Sequence, residues 1–311
     1  EYFDAVVSAG LLSEAARRCR VTPSALTLAL DDLERHLGVQ LLIRRKGKGV
    51  TVTPAGSRLL VHTRGVFGNI EALVADASSA STELVGHFAV GCFTTLAPFF
   101  LPPILAGFAG DFPSLVVEAT TGSADELQEG LLQGRLDSAL MYSVDVPPSL
   151  EFDPVVEYRP YVLLPADHPR ADQARISLGD IAAEAMIMLD MPPTRHNTEL
   201  LFAQLGLPLD VRHVATGYEV VRCLVGYGLG YAILFQRPRT NTTYDGHEVR
   251  MVEIADAVAG TTVGLCRPKG APRAARQSAL LEFLRHHGEA REGAGIVTVG
   301  PGGRADRRDQ A

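Results

Sequence analysis

Residues 11–56 read LLSEAARRCRVTPSALTLALDDLERHLGVQLLIRRKGKGVTVTPAG, and this stretch sets the architecture of the N-terminal part. Leu12, Ala15 and Ala16 are apolar or small at helical spacing, and small residues let two helices approach closely. Arg20-Val21 breaks that pattern. Thr22-Pro23 follows, an N-cap hydroxyl ahead of a proline suited to the first helical position. Leu26, Leu30, Leu33 and Leu37 then recur at spacings of 4, 3 and 4, one apolar face of a helix. Gly38 stands where a helix end needs left-handed backbone. Val39 to Ile43 reads as a strand, and Val50 to Thr53 as a second. Between them Arg44, Arg45, Lys46 and Lys48, interleaved with Gly47 and Gly49, form a tight basic turn. Two short helices followed by a basic hairpin is the layout of a winged helix-turn-helix.

The leucines at helical spacing read as core. The functional content lies on the other face of that helix, at Thr22, Pro23, Ser24, Thr27 and Leu28. A basic turn alone is as often a solvated loop as a phosphate contact. Behind a two-helix pattern, Arg44, Arg45, Lys46 and Lys48 read as phosphate ligands.

From Phe3 through Gly56 the chain resembles the DNA-binding domain of LysR-type transcriptional regulators. The residues that carry the resemblance are Phe3, Val6, Gly10, Ala15-Ala16, Val21-Thr22, Ala25-Leu26-Thr27, Leu33-Glu34, Leu37-Gly38, Gln40-Leu41, Arg44 and Thr53-Pro54-Ala55-Gly56. The resemblance continues to about His287. It departs from the family where Thr22-Pro23 and Thr27-Leu28 replace the usual Ser-Gln and Ser-Arg. The family also carries a few residues ahead of the equivalent of Glu1, so a truncated N-terminus is expected. The resemblance implies double-stranded DNA as partner, dimerisation through a linker helix, a dimer or tetramer as the assembly, and a periplasmic-binding-protein-like effector domain.

Charge distribution fits a DNA-binding head on an acidic body. Residues 1–66 hold ten Lys or Arg against six Asp or Glu, a net +4, which leaves −11 for the rest of a chain whose total is −7. A basic head with a separate acidic body suits a reader with a sensing domain. At 311 residues and 46% hydrophobic content the chain is long enough for two or three domains. No apolar run reaches the roughly 18 residues of a transmembrane helix, and no signal-peptide pattern opens the chain. The expected compartment is therefore the cytoplasm, with no membrane partner. Cys19, Cys92, Cys223 and Cys266 form no CxxC pair, which fits reduced thiols and excludes a disulfide framework or zinc site.

After the head (residues 1–56), residues 57–85 read as a linker helix and hinge. Leu59, Val66 and Leu73 recur every seven residues, and Ile70 and Ala77 repeat the step, which suits pairing with a second copy. From Gly86 strands and helices alternate, the mark of an α/β fold. The overall class is α plus α/β. With the resemblance, lobe I holds 86–160 and 265–288 and lobe II holds 161–264, with a disordered tail over 289–311.

Effector chemistry is expected at strand ends and helix starts facing the cleft between the lobes. Thr94 and Thr95 follow the first strand, and Gly122-Ser123 precedes a helix. In lobe II, Arg195 and His196 follow Pro192-Pro193-Thr194, and Tyr218 follows Gly217. Hydroxyls at helix N-termini plus a cation suggest a small anionic effector. Each Thr or Ser reads equally as a helix cap, Arg195 and His196 equally as surface residues, and Tyr142 as either cleft lining or core cover. Gly226-Tyr-Gly-Leu-Gly230 lacks the GxGxxG spacing of a nucleotide loop. No catalytic constellation, metal-ligand cluster or cofactor motif stands out. A solute-binding transport protein using the same cleft is the alternative, and an enzyme built on it the third reading.

Overall fold

The computed structural model describes residues 2–45, 49–60, 63, 84–270, 273–289 and 296–298. The head begins with helices α1 (Tyr2–Ala9), α2 (Leu12–Arg18) and α3 (Pro23–Leu37), followed by strands β1 (Leu42–Arg45) and β2 (Gly49–Val52). Thr22 caps α3, its hydroxyl accepting from Ala25 N at 3.2 Å, and Gly38 ends it at φ 64°. The expected face is buried at Leu26 and Leu30, which pack with Phe3, Val6, Ala15, Ala16, Leu41 and Leu42, and Leu33 packs against them part-buried, whereas Leu37 at the end of the helix is exposed.

The first wing strand starts three residues later than expected, at Leu42. The cause is Glu34. Its Oε1 accepts from Leu41 N at 2.6 Å and from Leu42 N at 2.9 Å, so the backbone over Val39 to Leu41 is drawn to α3 before pairing begins. β1 and β2 then pair antiparallel, Leu42 opposite Val52 and Arg45 opposite Gly49. The Thr53-Pro54-Ala55-Gly56 motif fastens the next helical stretch to this wing. Thr53 N donates to Leu41 O, and Thr53 Oγ1 to Gln40 O at 2.7 Å. Gly56 lies so close that a Cβ there would stand 2.3 Å from Leu41 O. Residues 54–60 are helical, while the heptad positions Val66, Ile70, Leu73 and Ala77 lie outside the described residues.

Beyond Gly86 the described residues form three sheets. The first has six strands in the order β14-β6-β13-β5-β3-β4. These are β3 (Gly86–Phe93), β4 (Leu115–Gly122), β5 (Ser138–Tyr142), β6 (Leu150–Tyr158), β13 (Thr261–Pro268) and β14 (Ile296–Thr298). β3 pairs parallel with β4 and β5, and β13 pairs antiparallel with β5 and β6. Helices α4 (Ala97–Asp111), α5 (Ala124–Leu132) and α8 (Ala275–Glu289) accompany them. α4 sends Phe100, Ile104 and Phe108, four residues apart, into the core with Phe88, Leu140, Leu280 and Leu284.

The second sheet runs β11-β7-β12-β8, from β7 (Tyr161–Pro165), β8 (Arg175–Ile176), β11 (Ala232–Leu234) and β12 (Val249–Ile254). Beside it β9 (Met186–Leu189) and β10 (Val211–Ala215) pair parallel. Helices α6 (Pro192–Leu205) and α7 (Tyr218–Gly226) follow β9 and β10. The chain passes from the first sheet to the second between Tyr158 and Tyr161 and returns between Ile254 and Thr261. The returning strand thus joins the first sheet at Thr261, four residues before the expected 265. The expected disordered tail is corrected at Ile296–Thr298, which pairs with Tyr158 to Val156 of β6. The remainder of that tail lies outside the described residues.

Candidate nucleic-acid interface and inter-lobe site

On the head, Pro23, Ser24 and Leu28 are exposed along α3, and Leu28 is 63% exposed despite being a large apolar side chain. Thr22 spends its hydroxyl lone pair on the cap. Thr27 is half-buried, and its Oγ1 donates to Pro23 O at 2.8 Å, which leaves its methyl and its acceptor lone pairs for other contacts. Arg44 is part-buried and pairs with carboxylates of α3. Its Nη2 sits 2.6 Å from Asp31 Oδ1 and 3.6 Å from Glu34 Oε2, so it ties β1 to α3. Arg45 ends β1, and Lys46 and Lys48 lie outside the described residues. Sequence reasoning passed over Arg20, which is exposed in the turn ahead of α3 at φ 56°. Its signal was a cation immediately before the Val21-Thr22-Pro23 start, after Arg17 and Arg18.

The inter-lobe site centres on a residue that sequence reasoning missed. Gln236 follows β11 and is fully buried. Its carbonyl oxygen accepts from two phenols of the second sheet's side, Tyr161 at 2.9 Å and Tyr218 at 2.7 Å. Its side-chain Nε2 donates to Thr95 Oγ1 at 3.2 Å and to the Tyr142 hydroxyl. Thr95 lies in the turn ahead of α4 and Tyr142 ends β5, so one residue bonds both lobes. Thr95 Oγ1 and Tyr142 OH are themselves 3.2 Å apart. Phe93 meets Tyr142 edge-on at 5.3 Å between centroids, and Phe99 meets Tyr218 edge-on at 6.0 Å. Burial pushes the phenol of Tyr161 up to about 12 and those of Tyr142 and Tyr218 up as well, so all three stay neutral donors at physiological pH.

The other expected effector residues behave differently. Thr94 is exposed, and its Oγ1 donates to Gly122 O at 3.2 Å, holding the loop to the end of β4. Ser123 is a helix cap: Glu126 N donates to its Oγ, and Glu126 Oε2 accepts from Ser123 N at 2.8 Å and Oγ at 3.0 Å. These bonds hold the Glu126 carboxyl below its usual range. The helix N-terminus expected to take an anion already holds this carboxylate. Arg195 is half-exposed and pairs with Asp190 at 2.9 Å and Glu199 at 2.8 Å. His196 is exposed. α6 opens with Pro192 and Pro193, and neither ring nitrogen carries a proton to donate. Of the expected set, the structure therefore gathers Thr95, Tyr142 and Tyr218, and it sets Thr94, Ser123, Arg195 and His196 to local tasks or the surface. Among the described residues no group of three His, Cys, Asp or Glu could hold a metal, and no helix is long and apolar enough to cross a membrane.

A DNA-binding head joined to a two-lobed ligand domain defines a class of regulator, and comparison with known proteins gives the family. Residues 1–57 match the bacterial regulatory helix-turn-helix protein model of the lysR family, and residues 81–289 match the LysR substrate binding domain. The chain belongs to the LysR family of transcriptional regulators. A LysR family regulator from Pseudomonas aeruginosa of known structure is 32% identical, with a TM-score of 0.64 over 92% of this chain and 96% of that one. A probable hydrogen peroxide-inducible genes activator from Mycobacterium xenopi is 34% identical over 56% of this chain and 92% of its own length. The hydrogen peroxide-inducible genes activator of Pectobacterium carotovorum subsp. carotovorum is 28% identical over 92% of this chain and 95% of its own. The transport alternative is not supported.

Proposed function

We propose that this regulator works in the cytoplasm as a homodimer paired through the linker helix, acting by binding and not by catalysis. The head reads a duplex with Thr22, Pro23, Ser24, Thr27 and Leu28, and the wing cations Arg45, Lys46 and Lys48 engage phosphate. The observation that carries this reading is the exposed α3 face. A leucine 63% exposed in the second turn of α3, away from the buried Leu26 and Leu30, has a ready partner in a thymine methyl in the major groove. Arg44 supports the wing from within. A small effector enters at the seam around Thr95, Tyr142 and Tyr218 and biases the angle between the lobes. It must bind two lobe arrangements unequally to act.

Two relatives are named for induction by hydrogen peroxide, and peroxide reacts with thiolates. Here Cys92 and Cys266 are buried, and burial pushes the Cys266 thiol up to about 12 and the Cys92 thiol up too. Both are protonated at neutral pH, which makes them poor peroxide targets. Cys19 and Cys223 are free and partly exposed, so burial shields only Cys92 and Cys266, and a ligand at the seam is preferred for the bonds that join the lobes there.

Replacing Arg45, Lys46 and Lys48 together by glutamine weakens binding to every duplex. It also lowers the slope of log affinity against log salt by about 0.9 for each phosphate contact removed. Fluorescence anisotropy over a salt series reads this directly. An unchanged slope removes the wing from the contact set.

A further inference from the structure

We propose that Gln236 is the residue that selects the effector, and that the effector is a neutral molecule bearing an amide or hydroxyl group, not an anion. The proposal rests on the seam being the effector site.

Gln236 is fully buried, and its Oε1 has no hydrogen-bond partner among the described residues. Exchanging the amide oxygen and nitrogen does not remove the mismatch. Thr95 and Tyr142 would then donate to the oxygen, and the nitrogen would be left without an acceptor. Either way one end of a buried carboxamide is unpaired, and a buried polar group in that condition is costly unless something meets it. The neutral amide group is self-complementary to this end, because it offers a donor and an acceptor side by side.

The charges nearby do not suit an anion. Arg195 is held by two carboxylates. Arg237 faces Glu253 at 2.7 Å and lies over the Tyr161 ring. Arg222 donates to Thr240 O and Thr242 O and sits 3.4 Å from Glu219. α6 begins with two prolines, and α5 already carries the Glu126 carboxylate at its start. Arg222 keeps a buried Nε without a hydrogen-bond partner among the described residues, but its guanidinium already faces the Glu219 carboxylate, so an anion at this seam would lose its water and meet a second negative charge beside that cation. An amide would lose less and gain a partner.

The test uses matched pairs that differ in charge at one group: benzamide with benzoate, nicotinamide with nicotinate, and propionamide with propionate. Binding to the full-length protein is measured by calorimetry and by thermal shift. The expected result is that at least one amide binds, about tenfold or more tighter than its acid, and that Gln236→Leu loses about tenfold of that affinity. Gln236→Asn, which keeps the group but shortens its reach, loses less. Tighter binding of the acids overturns the neutral class, and so does a panel in which no amide binds. An amide whose affinity is unchanged in Gln236→Leu overturns the role of Gln236. Failure of the seam reading shows separately: a probe that binds Phe99→Ala and Tyr218→Phe as well as the parent sits elsewhere. Gln236→Leu must retain the parent's far-ultraviolet spectrum and cooperative melt, and if it does not, Gln236→Asn alone decides.

Discussion

Glu34→Ala loosens the wing from the recognition helix and lowers the stability of the head by about 2–6 kcal/mol, since two part-buried backbone donors lose their acceptor at roughly 1–3 kcal/mol each. The donors are Leu41 N and Leu42 N, both on residues sealed in the head's core. Arg44 loses one of its two carboxylates at the same time and keeps Asp31. DNA affinity falls with the head's stability, while the two-lobed domain keeps its own unfolding transition. Glu34→Gln retains an oxygen that can accept from both N–H groups and loses less. Urea unfolding and anisotropy on the same preparations read both quantities. A Glu34→Ala protein that unfolds and binds like the parent would show that the wing is held by other means.

Arg237→Ala lowers the stability of the ligand domain by about 3 kcal/mol, the low end for breaking a buried ion pair because Glu253 keeps some contact with water. The guanidinium is nearly buried and forks onto both oxygens of Glu253, at 2.7 Å and 3.1 Å. It also covers the Tyr161 ring at 4.5 Å, a contact that adds to the loss. For a domain of this size the melting temperature falls by roughly 6–12 °C. Arg237→Lys recovers part of it, since an ammonium cannot make the two-pronged contact. Because Arg237 adjoins Gln236, ligand affinity falls in the alanine variant too. A shift under about 2 °C would mean that the pair contributes little.

Much of the head was legible because its signals are local. The Thr22-Pro23 start, the leucine spacing and Gly38 each concern residues within one helix. The wing strand was displaced because its start depends on Glu34, seven and eight residues away, a distance that no periodicity reports. In the ligand domain the alternation of strands and helices from Gly86 was legible, and β3, β5 and β9 are short apolar runs of the kind that carries it. β13 is not such a run, because Thr261-Thr-Val-Gly-Leu-Cys-Arg-Pro268 lies between β5 and β6 and is buried without simple alternation. The site was legible in part. Thr95, Tyr142 and Tyr218 stand at strand and helix ends, where a ligand is expected. Gln236 and Tyr161 matter through bonds that span up to 141 residues. Arg195 looked free because a cation in a loop is conspicuous, yet Glu199 four residues on was a visible helical partner.

The most direct measurement on the central claim is selection of duplexes from a random pool by the full-length protein, followed by sequencing. The account predicts a recovered two-fold motif, with half-sites about one helical turn or a multiple apart, and a T·A pair in each half-site whose replacement weakens binding less in Leu28→Ala than in the parent. A pool that returns no two-fold motif, only sequence-independent binding that vanishes with salt, would contradict it.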